Sequence, residues 1–217
     1  MIKRIIDRVM ATIGLAVLSP VLVALWVAVR RSSPGPALYR GLRVGQNGVP
    51  FHILKFRTMV VNAEVLGGSC TSTDDVRITP VGRWLRKYKL DELPQLLNVL
   101  KGDMSFVGPR PEVQRYADLF NAEEKQILSV RPGITDCATL WNSDEEAILA
   151  GSPDPERAYL EIIRPTKIRL QLKYVHERNL WIDFKIFSAT VMLVLQRCFG
   201  ATSLERSARQ DPLSKET

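Results

Sequence analysis

The sequence predicts an α/β protein that is mostly helical, carries one short β-hairpin and is attached to a membrane at its N-terminus. Three observations support this fold class: an uncharged run of 21 residues near the N-terminus, two strand-like runs around an Asn-Gly pair, and helical amphipathic patterns over most of the remainder. The 217 residues are 46% hydrophobic and 24% charged, which is ordinary for a folded protein and excludes a disordered chain.

The uncharged run, residues 9–29, is long enough to cross about 30 Å of hydrocarbon as a helix. Basic residues flank both of its ends: Lys3, Arg4 and Arg8 before it, Arg30 and Arg31 after it. The positive-inside rule draws both ends to the cytoplasm, which a straight span cannot satisfy. Because Ser19-Pro20 stands near the centre, residues 1–32 are predicted to form a monotopic, re-entrant helix-break-helix. A single-pass anchor is the alternative.

The rest of the chain divides into a domain, residues 33–199, and a polar tail, residues 200–217. The predicted hairpin strands are Ala37–Val44 and Val49–Phe56, because Asn-Gly between such runs favours a tight turn. Apolar periodicity predicts helices over residues 81–88, 94–100, 113–130, 157–177 and 180–199. The last of these is very apolar but interrupted by charges, which is typical of a helix lying on a membrane surface.

Charge and cysteine content narrow the functional classes. A formal charge of +7 and a pI near 9.5 favour an anionic partner such as acidic lipid or a phosphorylated substrate. Three widely spaced cysteines without a CxxC pair exclude a disulfide framework and a cysteine zinc site, and two distant histidines exclude a histidine-rich metal site. The chain lacks a repeated basic and aromatic face, so nucleic acid is not a predicted partner.

Adjacent carboxylates, Asp91 and Glu92, stand at a predicted helix start. A structural interpretation is that Asp91 caps the helix and Glu92 favours its positive end. The neighbourhood favours chemistry instead, because Arg110 lies between two prolines and Arg131 precedes Pro-Gly, so both lose little entropy on gripping a phosphate. A carboxylate among such cations can bind Mg²⁺ or attack a phosphorus atom. Further cations in this set are Lys55, Arg57 and Arg86.

An ordered set of motifs runs through most of the chain. They are KRxxD at residues 3–7, SP at 19–20, SPGP at 33–36, RVG at 43–45, KFRTM at 55–59, VGRWLR at 81–86, LDELPQLLNV at 90–99, GDMS at 102–105, VGPRP at 107–111 and RPGIT at 131–135. Together they resemble the monotopic bacterial phosphoglycosyl transferases, which initiate surface-glycan synthesis such as that of exopolysaccharide or lipopolysaccharide.

The resemblance implies a two-step reaction. Asp91 attacks the β-phosphate of a UDP-sugar, expels UMP and holds the phosphosugar covalently, and a membrane polyprenol phosphate then accepts it. Mg²⁺ is the implied cofactor, with Asp91 and Glu92 as catalytic and metal-binding carboxylates; whether Glu92 binds the metal or handles a proton is left open. The residues assigned to the substrate phosphates are Lys55, Arg57, Arg86, Arg110 and Arg131.

The resemblance also implies a catalytic domain on the cytoplasmic face of the bacterial inner membrane, in contact with membrane lipids. Lys3, Arg4 and Asp7 are predicted to order the start of the membrane helix by ion pairing or to meet headgroups, with ordinary positive-inside flanking as the alternative. Gln171 stands at a position that is often acidic in the family, and a homodimer is left open. The chain is expected to be a minimal catalytic unit.

Two other functions are consistent with the sequence. One is a membrane-tethered basic scaffold that binds acidic lipid or a partner, and the other is a glycosyltransferase that moves the sugar alone and releases UDP. The motifs do not specify the sugar. The predicted loops at Asn62–Asp75 and Thr139–Pro155 are the expected carriers of sugar specificity.

Overall fold

A computed structural model of the chain describes residues 1–63, 75–142, 149, 152 and 154–199. In these parts the protein is mostly helical, with two separate two-stranded sheets. Helix α1 covers Ile2–Ser32 and leads into the hairpin of β1 (Leu38–Val44) and β2 (Pro50–Phe56). The predicted class, mostly helical with a hairpin, is confirmed. Most of the predicted loop at Asn62–Asp75 lies outside the described residues.

Helix α1 is continuous over its 31 residues, so the predicted helix break at Ser19-Pro20 was wrong. Pro20 has no N–H for the carbonyl of Ala16, and the Ser19 hydroxyl donates to that oxygen at 2.8 Å instead. Because the freed carbonyl is satisfied locally, one missing backbone bond does not end the helix. Within the described residues, α1 alone is long and apolar enough to cross a membrane.

One face of α1 packs on the globular domain along the whole helix. Buried and half-buried positions recur at helical spacing, at Asp7, Ala11, Gly14, Leu18, Leu22, Leu25 and Val29. Near one end, Ser105 Oγ donates to Asp7 Oδ2 at 2.9 Å; near the other, Val29 packs in one apolar cluster with Leu85. Both ends of α1 therefore contact the same domain, while its opposite face exposes large apolar side chains.

The hairpin forms as the sequence predicts. Strands β1 and β2 pair antiparallel, with Leu38 opposite Phe56 and Val44 opposite Pro50. The turn holds Asn47 at φ 57° and Gly48 at φ 77°, the left-handed region that Asn-Gly favours. Strand β2 ends against the helical turn that carries Asp91, and this contact brings Lys55 to the candidate site.

Two short helices flank that turn. Helix α2 covers Pro80–Lys87, and helix α3 covers Gln95–Lys101, close to the predicted bounds. Thr79 caps α2, because its hydroxyl oxygen accepts from the N–H of Gly82 at 3.0 Å. Asn98 ties α3 to the hairpin, since its side-chain oxygen accepts from Leu54 N at 2.9 Å. The turn between α2 and α3 is thereby held against β2.

A parallel pair of strands, β3 (Ser105–Val107) and β4 (Gly133–Thr135), was not predicted from the sequence. Each strand has only three residues, too few for a period-two pattern to be read. The two strands bring the VGPRP and RPGIT motifs side by side. Their backbones cross closely at Gly108 and Gly133, where a Cβ built on Gly133 would lie 2.2 Å from Gly108 N.

Replacing Gly133 with alanine is expected to destabilise the protein by about 3 kcal/mol or more, because the clashing atoms are backbone and cannot rotate away. The measurement is the thermal unfolding midpoint in detergent. Gly14→Ala is the matched control, since a Cβ there meets Leu96 at an ordinary 3.5 Å. An unfolding temperature for Gly133→Ala equal to that of the wild type would contradict this close crossing.

The C-terminal half is built from helices. After β3 come α4 (Gln114–Ala117) and a 3₁₀ segment, Glu124–Ser129; after β4 come α5 (Cys137–Trp141), α6 (Pro155–Ala158), a π-helical turn (Tyr159–Ile163), α7 (Arg164–Glu177) and α8 (Leu180–Phe199). The predicted helix over 113–130 was wrong. The side-chain oxygen of Asn121 accepts from the N–H groups of Glu123 and Glu124, both at 2.9 Å, which starts a separate turn.

Helix α8 confirms the prediction of a long, interrupted apolar helix. Asp183 faces inward, where it accepts from Tyr174 OH at 2.7 Å and pairs with Lys3 Nζ at 2.6 Å. The ion pairing predicted for Lys3 is therefore present and joins the start of α1 to α8. The outer face of α8 exposes Leu180, Trp181, Phe184, Val191, Met192 and Leu195.

Candidate active site

Asp91 lies in a one-turn 3₁₀ segment, Leu90–Glu92, between α2 and α3. Lys89 just before it has φ 57°, a left-handed conformation that turns the chain sharply out of α2. The Asp91 carboxylate is buried, and its Oδ1 has no hydrogen-bond partner. Neither the 3₁₀ segment nor α3 has a side-chain cap, so the capping interpretation of Asp91 receives no support.

Glu92 is held by two cations. Lys55 Nζ lies 2.9 Å from Glu92 Oε1, and the Arg110 guanidinium grips the carboxylate with Nη1 at 3.0 Å from Oε2 and Nη2 against Oε1. Arg110 also donates to the backbone oxygen of Ile134 at 2.9 Å. This bidentate geometry fixes Arg110 between the carboxylate and β4. It also means that both oxygens of Glu92 are occupied.

The pKa values of the two carboxylates are shifted in opposite directions. Burial raises the pKa of Asp91 and the charge of Glu92 adds to that rise, while Lys55 opposes it. Burial also disfavours ionised Glu92, but the charges of Arg110 and Lys55 outweigh it and hold the pKa of Glu92 well below its ordinary value. Glu92 is thus a fixed anion, whereas Asp91 is a desolvated, more basic carboxylate.

Asp91 and Glu92 line an open cleft of roughly 2970 Å³. Four of its cations are close enough to act on one or both carboxylates electrostatically: Lys55, Arg86, Lys89 and Arg110. Arg86 is oriented from α2 by the hydroxyl of Thr58, to which its Nε donates at 2.9 Å. The cleft therefore offers one unpartnered carboxylate oxygen among several positive charges. Such a site suits a multiply charged anion that reacts with an oxygen nucleophile.

Two sequence-predicted cations lie apart from this group. Arg57 is buried and donates to Ser33 O at 2.8 Å and Pro34 O at 2.7 Å, which ties the end of the hairpin to the turn after α1. Arg131 lies outside the cleft, beside the first turns of α1. Burial and the charges of Arg4 and Arg8 lower the pKa of Arg131. Roles in phosphate binding for Arg57 and Arg131 stay predictions.

Asp136 is a buried residue of the site that sequence reasoning missed. One oxygen caps α5, accepting from Thr139 N at 2.6 Å, and the other accepts from Arg110 N at 3.0 Å and Gln171 Nε2 at 2.8 Å. Asp136 thereby anchors the backbone of Arg110 to α5 and α7. The sequence does contain a signal for the capping role of Asp136, since an aspartate immediately before an apolar helical run is a typical N-cap.

Comparison of the sequence with known proteins assigns the chain to a family. The sequence profile of the bacterial sugar transferases matches residues 1–197. The chain belongs to the bacterial sugar transferase family. The family predicted from the motifs is confirmed, and the matched range includes Asp91, Glu92 and every cation described above.

Several relatives of this chain have names that specify a reaction. It is 37% identical to a UDP-N-acetylgalactosamine-undecaprenyl-phosphate N-acetylgalactosaminephosphotransferase of Aeromonas hydrophila, over 92% of this chain and 45% of the relative. It is 38% identical to a UDP-glucose:undecaprenyl-phosphate glucose-1-phosphate transferase of Caulobacter vibrioides, over 89% of this chain and 69% of the relative. It is also 37% identical to an undecaprenyl-phosphate galactose phosphotransferase of Salmonella typhimurium, over 90% of this chain and 41% of the relative. The chain thus spans less than half the length of two of these relatives.

The neutral side chain of Gln171 has a structural reason. It is buried on α7, and its amide donates to the carboxylate of Asp136. A carboxylate at position 171 would face that of Asp136 across the 2.8 Å that the amide now bridges. A glutamine at this often acidic position is therefore compatible with the neighbouring carboxylate of Asp136.

Replacing Gln171 with glutamate is expected to cost about 3 kcal/mol at pH 8, because burial and the Asp136 charge raise the pKa of the new carboxyl. A carboxyl whose pKa is raised in the folded state lowers the free energy of unfolding at pH values above its ordinary pKa. This loss of stability shrinks as pH falls and the group gains a proton. Unfolding temperatures of Gln171→Glu and of the control Gln171→Leu, measured from pH 8 to pH 5, test this. A difference between the variants that stays constant with pH would contradict it.

Proposed function

We propose that the protein transfers a sugar-1-phosphate from a UDP-sugar to a membrane polyprenol phosphate, releases UMP, and forms a covalent phosphosugar on Asp91. This is the first membrane step of surface-glycan synthesis. The observation that carries the proposal is the buried Asp91 carboxylate, whose Oδ1 is unpartnered at a cleft lined by cations. The names of the relatives, which specify UDP-sugars and undecaprenyl phosphate, supply the substrate classes.

In the first step, an Asp91 oxygen forms a bond to the β-phosphorus of the donor. The bond from that phosphorus to the bridging oxygen breaks, and UMP leaves with the electron pair. Burial makes Asp91 more basic than an ordinary aspartate, which favours it as a nucleophile, while Lys55 favours its ionised form. Arg86 and Lys89 are the nearby cations that can offset the charge developing on the diphosphate.

In the second step, a phosphate oxygen of the polyprenol phosphate attacks the same phosphorus atom. The bond from Asp91 to phosphorus breaks, which regenerates the carboxylate and yields a polyprenyl diphosphate sugar. Glu92 acts in both steps as a fixed anion that orients Lys55 and Arg110, since its own oxygens are occupied. In this arrangement Glu92 is a positioning residue, and proton handling would require it to release a cation.

Mg²⁺ fits this site with one protein carboxylate. Among the described residues, no group of three or more His, Cys, Asp or Glu side chains could hold a metal ion. Asp91 has a free oxygen, whereas Glu92 would have to release Lys55 or Arg110 to become a ligand. Magnesium sites commonly combine one carboxylate with substrate phosphates. Bound to Asp91 in this way, Mg²⁺ would supply positive charge to the diphosphate and to the leaving UMP.

We propose that α1 is membrane-seated and re-entrant at the cytoplasmic face of the inner membrane, with both of its ends on the side of the domain although the helix is unbroken at Ser19-Pro20. Both ends of α1 contact one domain, through Asp7 and Val29, which a straight crossing with that domain on one side would not allow. The outer faces of both helices are apolar, and Trp181 stacks on Phe184 in α8. Tags at the two termini should be reachable from the cytoplasm only; a periplasmic N-terminus would overturn this topology. Homodimer formation stays a prediction.

The deciding experiment is nucleotide release from a panel of UDP-sugars, with polyprenol phosphate, Mg²⁺ and detergent-solubilised protein. UMP release together with a sugar-phosphate adduct mapped to Asp91 by mass spectrometry is the expected result. UDP release would instead establish transfer of the sugar alone. Release of neither nucleotide by folded protein would favour a lipid-binding scaffold.

A further inference from the structure

Asn142 is a buried amide with no partner. It ends α5, its side chain is 8% exposed, and neither its Nδ2 nor its Oδ1 has a hydrogen-bond partner. Leaving a buried polar group unpaired is costly, and such groups in folded proteins call for an explanation. Asn142 also lines the same cleft as Asp91 and Arg110. Asn142 therefore contributes an unpaired, solvent-shielded amide to the wall of that cleft.

Helix α5 connects Asn142 to the phosphate-binding part of the site. The helix begins at its cap, Asp136, which accepts the backbone N–H of Arg110, and it ends where Asn142 N donates to Ala138 O at 2.9 Å. Five helical residues span about 7.5 Å. Asn142 thus lies one short helix away from the residue that anchors Arg110, on the scale of one sugar ring beside a phosphate.

Three other polar residues that line the cleft, Glu112, Tyr159 and Lys167, are bonded to one another. Glu112 accepts from Tyr159 OH at 2.9 Å and pairs with Lys167 Nζ at 2.6 Å, and all three residues line the cleft. Tyr159 is the first residue of a π-helical turn, and such turns are frequent at functional sites. In the same cleft, Asn142 keeps an unused donor and an unused acceptor.

We infer that Asn142 recognises the sugar of the donor by forming a hydrogen bond with a ring hydroxyl or an acetamido group of the UDP-linked pyranose. This inference rests on the proposed function, because it takes the molecule in the cleft to be a UDP-sugar. A carboxamide suits the task, since hydroxyl and acetamido groups both donate and accept. Asn142 is thereby a specificity-determining residue, and Asp91 keeps the chemistry. Asn142 falls in the range 139–155 that the sequence predicts as a specificity loop; residues 139–141 belong instead to α5, and most of the rest lies outside the described residues.

The test compares wild type with Asn142→Leu and Asn142→Ala in the full chain. Steady-state rates are measured with UDP-glucose, UDP-galactose and their N-acetylated counterparts. For the best donor, we expect kcat/KM to fall about 10- to 100-fold in both variants, the size of one or two lost hydrogen bonds. Inhibition by UMP should stay within about twofold, because UMP has no sugar at this position. The differences in kcat/KM among the four donors should become smaller in both variants.

Stability supplies a second readout. Removing an unpaired buried amide relieves a cost, so the ligand-free Asn142→Leu protein is expected to unfold at the same temperature as wild type or higher. Gln126→Leu is the matched control, an exposed amide outside the cleft that should leave rates and donor preference unchanged. Wild-type donor preference in folded Asn142→Leu would overturn the inference.

Failure of the proposed function would look different. In that case wild type would release no nucleotide from any donor, and thermal-shift binding of each UDP-sugar against UDP would decide the role of Asn142. A sugar-dependent shift that is present in wild type and lost in Asn142→Leu would support sugar reading without turnover. Equal shifts in both proteins, or no shift in either, would overturn it.

Discussion

Asp91→Asn should abolish nucleotide release, with a loss on the order of 10⁴-fold or more, because the amide cannot form the covalent phosphosugar. The same change is expected to stabilise the protein at neutral pH. Burial raises the pKa of Asp91 above its ordinary value, so its ionised form costs folding free energy, which the neutral asparagine avoids. This cost fades as pH falls and Asp91 gains a proton, so the difference in unfolding temperature should shrink toward acidic pH.

The two readouts separate a chemical role of Asp91 from a structural one. Rates are measured as UMP release, and stability as the thermal midpoint in detergent from pH 8 to pH 5. Asp118→Asn is the control, since Asp118 is an exposed aspartate whose carboxylate accepts a hydrogen bond from Gln114. A variant that keeps substantial turnover, or one that loses both activity and stability, would contradict the assignment of Asp91 as the nucleophile.

Glu92→Gln should be the most destabilising of the conservative changes in the site. It leaves the half-buried Lys55 and Arg110 without their counter-charge, which costs about 3 kcal/mol, the lower end of the range for a buried pair. For a chain of this size the thermal midpoint should fall by roughly 10 °C. Activity should fall as well, because Arg110 loses the bidentate contact that orients it.

The contribution of Glu92 to folding stability changes with pH in the opposite direction to that of Asp91. Its folded-state pKa lies below the ordinary value, so the stability it contributes is present at neutral pH and is lost as pH falls through the lowered pKa. Wild type and Glu92→Gln should therefore converge in stability on acidification. A double-mutant cycle with Lys55→Met tests the coupling, since the combined loss should be clearly less than the sum. Additive losses would argue against a functional ion-pair cluster.

Much of the fold follows from local sequence. The hairpin is specified by Asn47 and Gly48, whose left-handed conformations few other residue pairs adopt as readily. Helices α1, α2, α3 and α8 follow from apolar periodicity and from breakers such as Gly102. The helix predicted over 113–130 fails because Asn121 offers its own side-chain acceptor and because Phe120 and Ile127 are buried by distant partners.

The sequence by itself determined the family, the adjacency of Asp91 and Glu92, and the presence of fixed cations near them. Only the tertiary structure decided which cations meet the carboxylates: Lys55 and Arg110 grip Glu92, while Arg57 holds a turn and Arg131 lies beside α1. The physical reason is that local conformation depends on neighbours a few residues away. The partners of a charged group depend instead on the close crossing of β3 and β4 and on the docking of α5, contacts that join segments far apart in the chain.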